Sequence, residues 1–242
     1  MGPFNGSGVE FKCRPGYYSG RFIVEESGAR ILTAIGQCGV LSRHLISIIT
    51  GCANTAKVLK RLAAKGYLDE YTSDRCPPVY SLGKKGAEIL NARYRKWDSI
   101  RLLRMVAANQ LWVQLSKMWP NSVWDTTGDY PILSKVGASY MIVAPRLADR
   151  EKHFALRAVN LAGKNPLLVV AATQEQALDL ARLNPEGTVR YTWDDLLRNG
   201  VFFYYLENDK LELDQDFEDK KFFDKNNEDI IDREILSVVQ SL

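Results

Sequence analysis

The sequence predicts a mixed α and β protein: a helical, hairpin-bearing N-terminal half, a long linking helix, and a C-terminal α/β half with a partly parallel sheet. Three observations predict it. Apolar residues recur at helical spacing from Ser27 onward, residues 67–82 alternate in the manner of a hairpin, and beyond Pro120 short continuous apolar runs alternate with helical segments. Strands that alternate with helices imply parallel strands covered by those helices. The expected divisions are residues 10–119, residues 120–213, and an acidic tail over 214–242.

The elements follow in order. Residues 1–9 are Gly-rich and are set aside from fold reasoning; a short strand is expected at Arg21 to Val24. Ile31, Leu32, Ile35 and Cys38 mark a first helix, closed by Gly39. Ser42 is placed to cap a second helix, whose apolar stripe is Leu45, Ile46 and Ile49. After the tight turn Thr50-Gly51-Cys52, a third helix is expected from about Ala53 to Lys65, stopping at Gly66. Val58, Leu59 and Leu62 form its buried side, and Asn54, Lys57, Lys60, Arg61 and Lys65 its polar one.

A hairpin then runs out along Tyr67 to Tyr71, turns over residues 72–78, and returns along Val79 to Leu82. The helical pattern from Lys84 to Trp119 predicts a long helical stretch ending at Pro120, which either connects the halves or pairs with a partner helix, and which can also break in its middle. Leu90, Trp97, Leu103, Leu111 and Leu115 on it suggest a face that pairs with a second copy, giving a homodimer. In the C-terminal half, strands are expected at Tyr140 to Ala144, Leu167 to Ala172, Val189 to Thr192 and Val201 to Leu206. Helices are expected at Asp149 to Leu161 and Gln174 to Leu183, with a terminal amphipathic helix at Asp229 to Val239.

Composition narrows the function classes. Hydrophobic residues make up 46% and charged residues 25%, the balance of a globular protein. No apolar run approaches the roughly 18 residues of a membrane span, and no charged-then-apolar leader pattern opens the chain, so a cytoplasmic protein is expected. Cys13, Cys38, Cys52 and Cys76 form no C-x-x-C pair, and His44 and His153 are the only histidines, which argues against zinc. The net charge of +3 hides an asymmetry: residues 1–105 hold 17 Lys and Arg against 8 acids, and the remainder 15 against 21. A basic half suits a phosphate-rich partner.

Helix, helix, tight turn, helix and two-stranded hairpin is the order of a winged helix-turn-helix, which sets its last helix in a DNA major groove. On that expectation the DNA-binding residues are Ser42, Arg43, Asn54, Thr55, Lys57, Lys60, Arg61 and Arg75. Asn54, Lys57 and Arg61 at i, i+3 and i+7 would face base edges. Ser42 and Thr55 near helix starts, with Arg43 and Lys60 flanking and Arg75 at the hairpin tip, would meet the backbone. The stretch VLKRLAAKGYLDEY…PVYSLGKKGAEIL resembles bacterial winged-helix regulators over residues 27–92, through Arg61-Leu62, Gly66-Tyr67-Leu68, Tyr80, Leu82 and Gly86. Together with KHFALRAVNLAGKNPLLVVAATQEQALDLARLNPEGTVRYTWDDLL, the chain resembles the replication-relaxation family of plasmids and conjugative elements. That resemblance implies a winged helix joined to a restriction-endonuclease-like α/β domain.

An active nuclease of that fold needs an acid before one strand and Asp/Glu-x-Lys on the next to hold a divalent metal. Asp125 or Asp129 supplies the first, but Tyr140-Met-Ile-Val-Ala-Pro-Arg carries no acid. Ala162-Gly163-Lys164-Asn165 lacks phosphate-loop spacing, and Asp194-Asp195 read as a helix cap. The expectation is therefore a regulatory or accessory protein of a mobile element that binds double-stranded DNA, without enzymatic activity, cofactor or metal. Its C-terminal half would be an inactive scaffold for assembly or for contact with other proteins. The alternatives are a metal-dependent nuclease and a winged helix that meets another protein.

Overall fold

The computed structural model describes residues 9–15, 24–147, 151–162, 166–184, 189–215 and 217. It is a mixed α and β structure with two sheets, one of them partly parallel. The chain divides into two compact units, Gly6–Asn109 and Gln110–Leu242. The expected strand at Arg21 to Val24 falls almost wholly outside the described residues, as do most of Ala162 to Asn165 and the terminal helix at Asp229 to Val239.

The first unit opens with strand β1 (Lys12–Arg14) and helix α1 (Glu26–Cys38). Strand β2 (Val40–Ser42) leads into helix α2 (Arg43–Thr50), and helix α3 (Thr55–Ala64) follows. Strands β3 (Leu68–Thr72) and β4 (Val79–Leu82) form the hairpin, and the antiparallel sheet runs β1-β3-β4-β2. Ser42 caps α2 as expected, its Oγ accepting from the Leu45 N–H at 3.3 Å. Gly51 ends α2 in the left-handed region, φ 62°, and so turns the chain toward α3. Thr55, Leu59 and Leu62 form the buried side of α3; Val58 is only half-buried.

The expected helical stretch from Lys84 to Trp119 breaks into two helices, α4 (Lys84–Ile89) and α5 (Ser99–Met118). The pattern of apolar residues is continuous, but the backbone is not. Asn91 adopts φ 49°, which stops α4, and Asp98 restarts the helix by accepting from the Arg101 N–H at 2.9 Å. The intervening segment crosses one face of the hairpin. Tyr94 donates to Asp69 at 2.9 Å and the Trp97 N–H to the Tyr71 hydroxyl at 3.4 Å. Asp69 and Tyr71 sit two residues apart on β3 and so share that face. Leu90 instead packs on α1 beside Gly36, and Leu103, Leu111 and Leu115 are buried within the chain. The residues of the expected apolar face thus fall on two helices and the segment between them.

The second unit begins within α5. Strands β5 (Val123–Asp125) and β6 (Ile132–Lys135), absent from the sequence reading, precede β7 (Ala138–Val143). Helix α6 (Glu151–Ala162) leads to β8 (Leu167–Ala171), and helix α7 (Gln174–Leu183) to β9 (Val189–Trp193). Strands β10 (Tyr204–Glu207) and β11 (Lys210–Leu213) complete a sheet of order β11-β10-β9-β8-β7-β6-β5. The β7, β8 and β9 strands are parallel, as the two β-α-β connections require, and the outer pairs are antiparallel. The expected strand Val201 to Leu206 begins only at Tyr204. Val143, Leu167, Val169, Ala171, Val189 and Tyr191 form a core with Ala155, Ala158, Ala177 and Leu180 of the two helices. Small side chains on α6 and α7 let both helices lie close to the sheet.

Two glycines hold α4 against the hairpin. A Cβ on Gly83 would stand 2.6 Å from the Gly66 carbonyl oxygen, and one on Gly86 2.2 Å from that of Tyr67. Gly86→Ala must push backbone away from backbone. A loss of about 1–3 kcal/mol is expected, read as a lower urea midpoint at unchanged slope.

Burial of Asp69 pushes its carboxyl above the ordinary range, against the lowering effects of the Tyr94 hydroxyl and the nearby Lys96 and Lys84. The folded state therefore holds the proton more tightly than the unfolded chain. The associated stability is complete below the unfolded pKa and is lost as pH rises through the folded one. Asp69→Asn keeps an acceptor for Tyr94 and removes the buried charge. At neutral pH its melting temperature should equal or exceed that of the parent, and the gap should close on acidification; a gap that widens in acid would refute this account.

Candidate nucleic-acid interface

Helix α3 owes its position to α1. Gly28 is buried on α1, and a Cβ there would lie 3.6 Å from Leu62 Cδ2. Thr55, Leu59 and Leu62 anchor the inner side of α3, and the 100° step per residue turns Lys57, Lys60 and Arg61 outward. All three are exposed. Among the described residues the ammonium groups of Lys57 and Lys60 make no ion pair. Asn54 is the exposed N-cap residue of α3 and spends no side-chain hydrogen bond on the cap.

The other sequence-designated residues separate into two groups. Arg43 is exposed at the start of α2 beside His44, and Arg75 is exposed on the hairpin tip between β3 and β4. Ser42 and Thr55 are buried. Ser42 caps α2, and the Thr55 hydroxyl donates to the Cys52 carbonyl at 2.5 Å. Ser42 thus secures the start of α2 and Thr55 the turn between α2 and α3, and both hydroxyls are engaged by backbone. Asn54, Lys57, Lys60 and Arg61 are thus exposed on α3, Arg43 on α2 and Arg75 in the turn between β3 and β4.

Tyr80 donates to Glu70 at 3.0 Å, and burial first, then the neighbouring Glu70, pushes its hydroxyl upward. Burial pushes the Cys76 thiol to about 11, with Arg75 pulling the other way. Cys76 therefore stays a thiol at neutral pH. None of the four cysteines forms a disulfide, and Cys38 is buried.

Sequence reasoning missed a partner for Arg61. Its Nη2 stands 3.1 Å from Glu25 Oε1 and its Nη1 3.5 Å from Oε2. Glu25 is the N-cap residue of α1, one turn before Gly28, and Arg61 immediately precedes Leu62. The contact that seats α3 on α1 thus brings acid and guanidinium together. A glycine inside the first turn of a predicted helix was the available signal.

A second missed feature lies in the other unit. The Arg146 side chain is fully buried and donates to both carboxylate oxygens of Asp194, at 3.0 and 2.9 Å. It also donates to the Ala144 and Val170 carbonyls. Its own N–H reaches buried Glu151, and its carbonyl accepts from Gln176, which in turn accepts from the Ala172 N–H. Asp194 therefore closes an ion pair at the ends of β7, β8 and β9, while Asp195 takes the N-cap position of the short 3-10 turn Leu196–Arg198 without a side-chain cap bond. Every atom of this guanidinium is directed at protein, so it is a structural tie.

The acids of the nuclease alternative are apart from this tie. Asp125 is exposed on edge strand β5, where the Thr127 N–H and side chain hold its carboxyl below the usual range; Asp129 is exposed in the following turn. Among the described residues no group of three or more His, Cys, Asp or Glu is arranged to hold a metal ion. No described helix is long and apolar enough to cross a membrane. No family model, curated protein or solved structure matches the chain.

The Arg146 tie makes a stability prediction. Arg146→Met leaves the Asp194 carboxylate buried without its partner, and a loss of about 3–5 kcal/mol is expected in chemical denaturation. Adding Asp194→Leu should recover part of it. An Arg146→Met protein as stable as the parent would show that the pair is not what joins these strand ends.

Proposed function

We propose that this chain is a sequence-specific, double-stranded DNA-binding protein and that its first unit is a winged helix-turn-helix. The supporting observation is α3 itself: seated on α1 by Thr55, Leu59 and Leu62, it turns Lys57 and Lys60 outward, neither in an ion pair among the described residues, beside Asn54 and Arg61. A helix about 10–12 Å across fits a major groove about 12 Å wide. Asn54 and Arg61 carry the donors and acceptors that read adenine and guanine edges, and Lys57 has the charge to meet a base or a phosphate. Lys60, Arg43 and Arg75 are suited to the phosphate backbone, with Arg75 carried by the hairpin.

On this reading the protein is a regulatory or accessory factor of a mobile element, acting in transcription, replication or transfer. Its second unit would be a nuclease-like but inactive scaffold for contact with other proteins. DNA serves as the sole ligand, without cofactor or metal.

Electrophoretic shift and fluorescence anisotropy over a salt series test the proposal. Binding should weaken steeply with salt, with a log–log slope of about −0.9 for each phosphate neutralised. Lys60→Ala should reduce the magnitude of that slope by about one unit and weaken cognate and scrambled duplexes alike. No binding at low salt, or an affinity indifferent to salt, would overturn the proposal.

A further inference from the structure

We infer that Glu25 sets the affinity of the DNA-binding surface by occupying Arg61 in the free protein, so that a duplex must take the guanidinium from a carboxylate of the same chain. The inference rests on the DNA-binding reading. The two terminal nitrogens of Arg61, the donors with which arginine grips a guanine edge or a phosphate, both face the Glu25 carboxylate, at 3.1 and 3.5 Å. The pair is open to solvent: the side chains are 45% and 60% exposed. It can therefore exchange partners without unpacking a core, unlike a buried pair.

Glu25 is also held in register with Arg61. Its carbonyl accepts from the Ala29 N–H at 2.9 Å, which fixes it as the first residue of the α1 turn. Glu25, Ser27, Gly28, Val58, Arg61 and Leu62 line one shallow groove between α1 and α3. The neighbouring Glu26 turns instead to Arg30, one turn along α1. The two adjacent acids thus differ in one respect that matters here: Glu25 holds a residue of the proposed reading helix, and Glu26 does not.

A carboxylate that stays beside Arg61 after exchange also opposes the gain from phosphate neutralisation. Arg61 consequently adds less to the salt slope than Lys57 or Lys60, which make no ion pair among the described residues.

A double-mutant cycle tests the inference. The probe is a fluorescein-labelled duplex selected from a random pool, with a scrambled duplex beside it, bound by the full chain. Glu25→Gln should tighten binding about two- to five-fold, the range expected for an exposed ion pair, and steepen the salt slope by up to one unit. Glu26→Gln removes the same charge one residue away and should have the smaller effect. In an Arg61→Ala background the gain from Glu25→Gln should disappear. Circular dichroism checks that each variant is folded. Equal tightening by Glu25→Gln and Glu26→Gln, or a gain that survives in Arg61→Ala, would overturn the inference while leaving DNA binding intact. A parent protein that binds neither duplex at low salt would overturn the DNA-binding reading and this inference with it.

Discussion

The first unit depends on one packing contact, that of α3 with α1. A helix can offer a polar face to a partner only if its other face is fixed, because a short helix gains too little from propensity to hold its own orientation. Leu62 against Gly28 supplies that fixture, together with buried Leu59 and Thr55. From it follow the outward direction of Lys57 and Lys60, the meeting of Arg61 with Glu25, and the start of the hairpin. The Tyr67 N–H donates to the Leu62 carbonyl at 3.0 Å, so β3 leaves α3 at a set angle. Gly83 and Gly86 then bring α4 onto the same corner. One apolar junction thus orients the helix, the hairpin and the helix that follows.

Much of this architecture was legible in the sequence because local signals agreed. Ser42, Gly51 and Gly66 punctuate the helices with caps whose backbone conformations the structure reproduces: Gly51 has φ 62° and Gly66 φ 77°. The periodic apolar residues of α1, and the continuous runs of β7 and β8, report burial on one side or on two. What could not be read locally depended on distant residues. The break between α4 and α5 lies in a stretch of good helical pattern, and it is fixed by tertiary bonds of Tyr94 to Asp69 and of Trp97 to Tyr71. Such bonds outweigh the few tenths of a kcal/mol per residue that separate helix from coil. Strands β5 and β6 are short, and their outer residues Val123 and Ile132 remain exposed, so they carry no clear alternation.

The candidate surface was legible in part for the same reason. Residue type and helical phase place Lys57, Lys60 and Arg61 on the outside. They do not reveal that Ser42 and Thr55 are consumed by the backbone they help to turn. Hydroxyl residues at helix starts serve either a ligand or the cap, and proximity to the helix N-terminus does not distinguish the two. The distinction lies in burial, and in the bonds from Leu45 to Ser42 and from Thr55 to Cys52.

Two arginines show how environment assigns a role to one side chain. Arg146 and Arg61 each face a carboxylate at about the same distance, 2.9 and 3.1 Å. Arg146 is wholly buried, its fork divided between Asp194 and two carbonyls; removing it strands a charge in a medium that cannot solvate it. Arg61 lies at the surface, where water replaces whatever partner it loses and the net attraction is small. A buried pair resists exchange because both ends lose solvation together, and so it serves to tie β7 to β9. An exposed pair exchanges readily, and so it can respond to a ligand. A rigid sheet calls for the first setting and an exchangeable contact for the second, and the chain places one arginine in each.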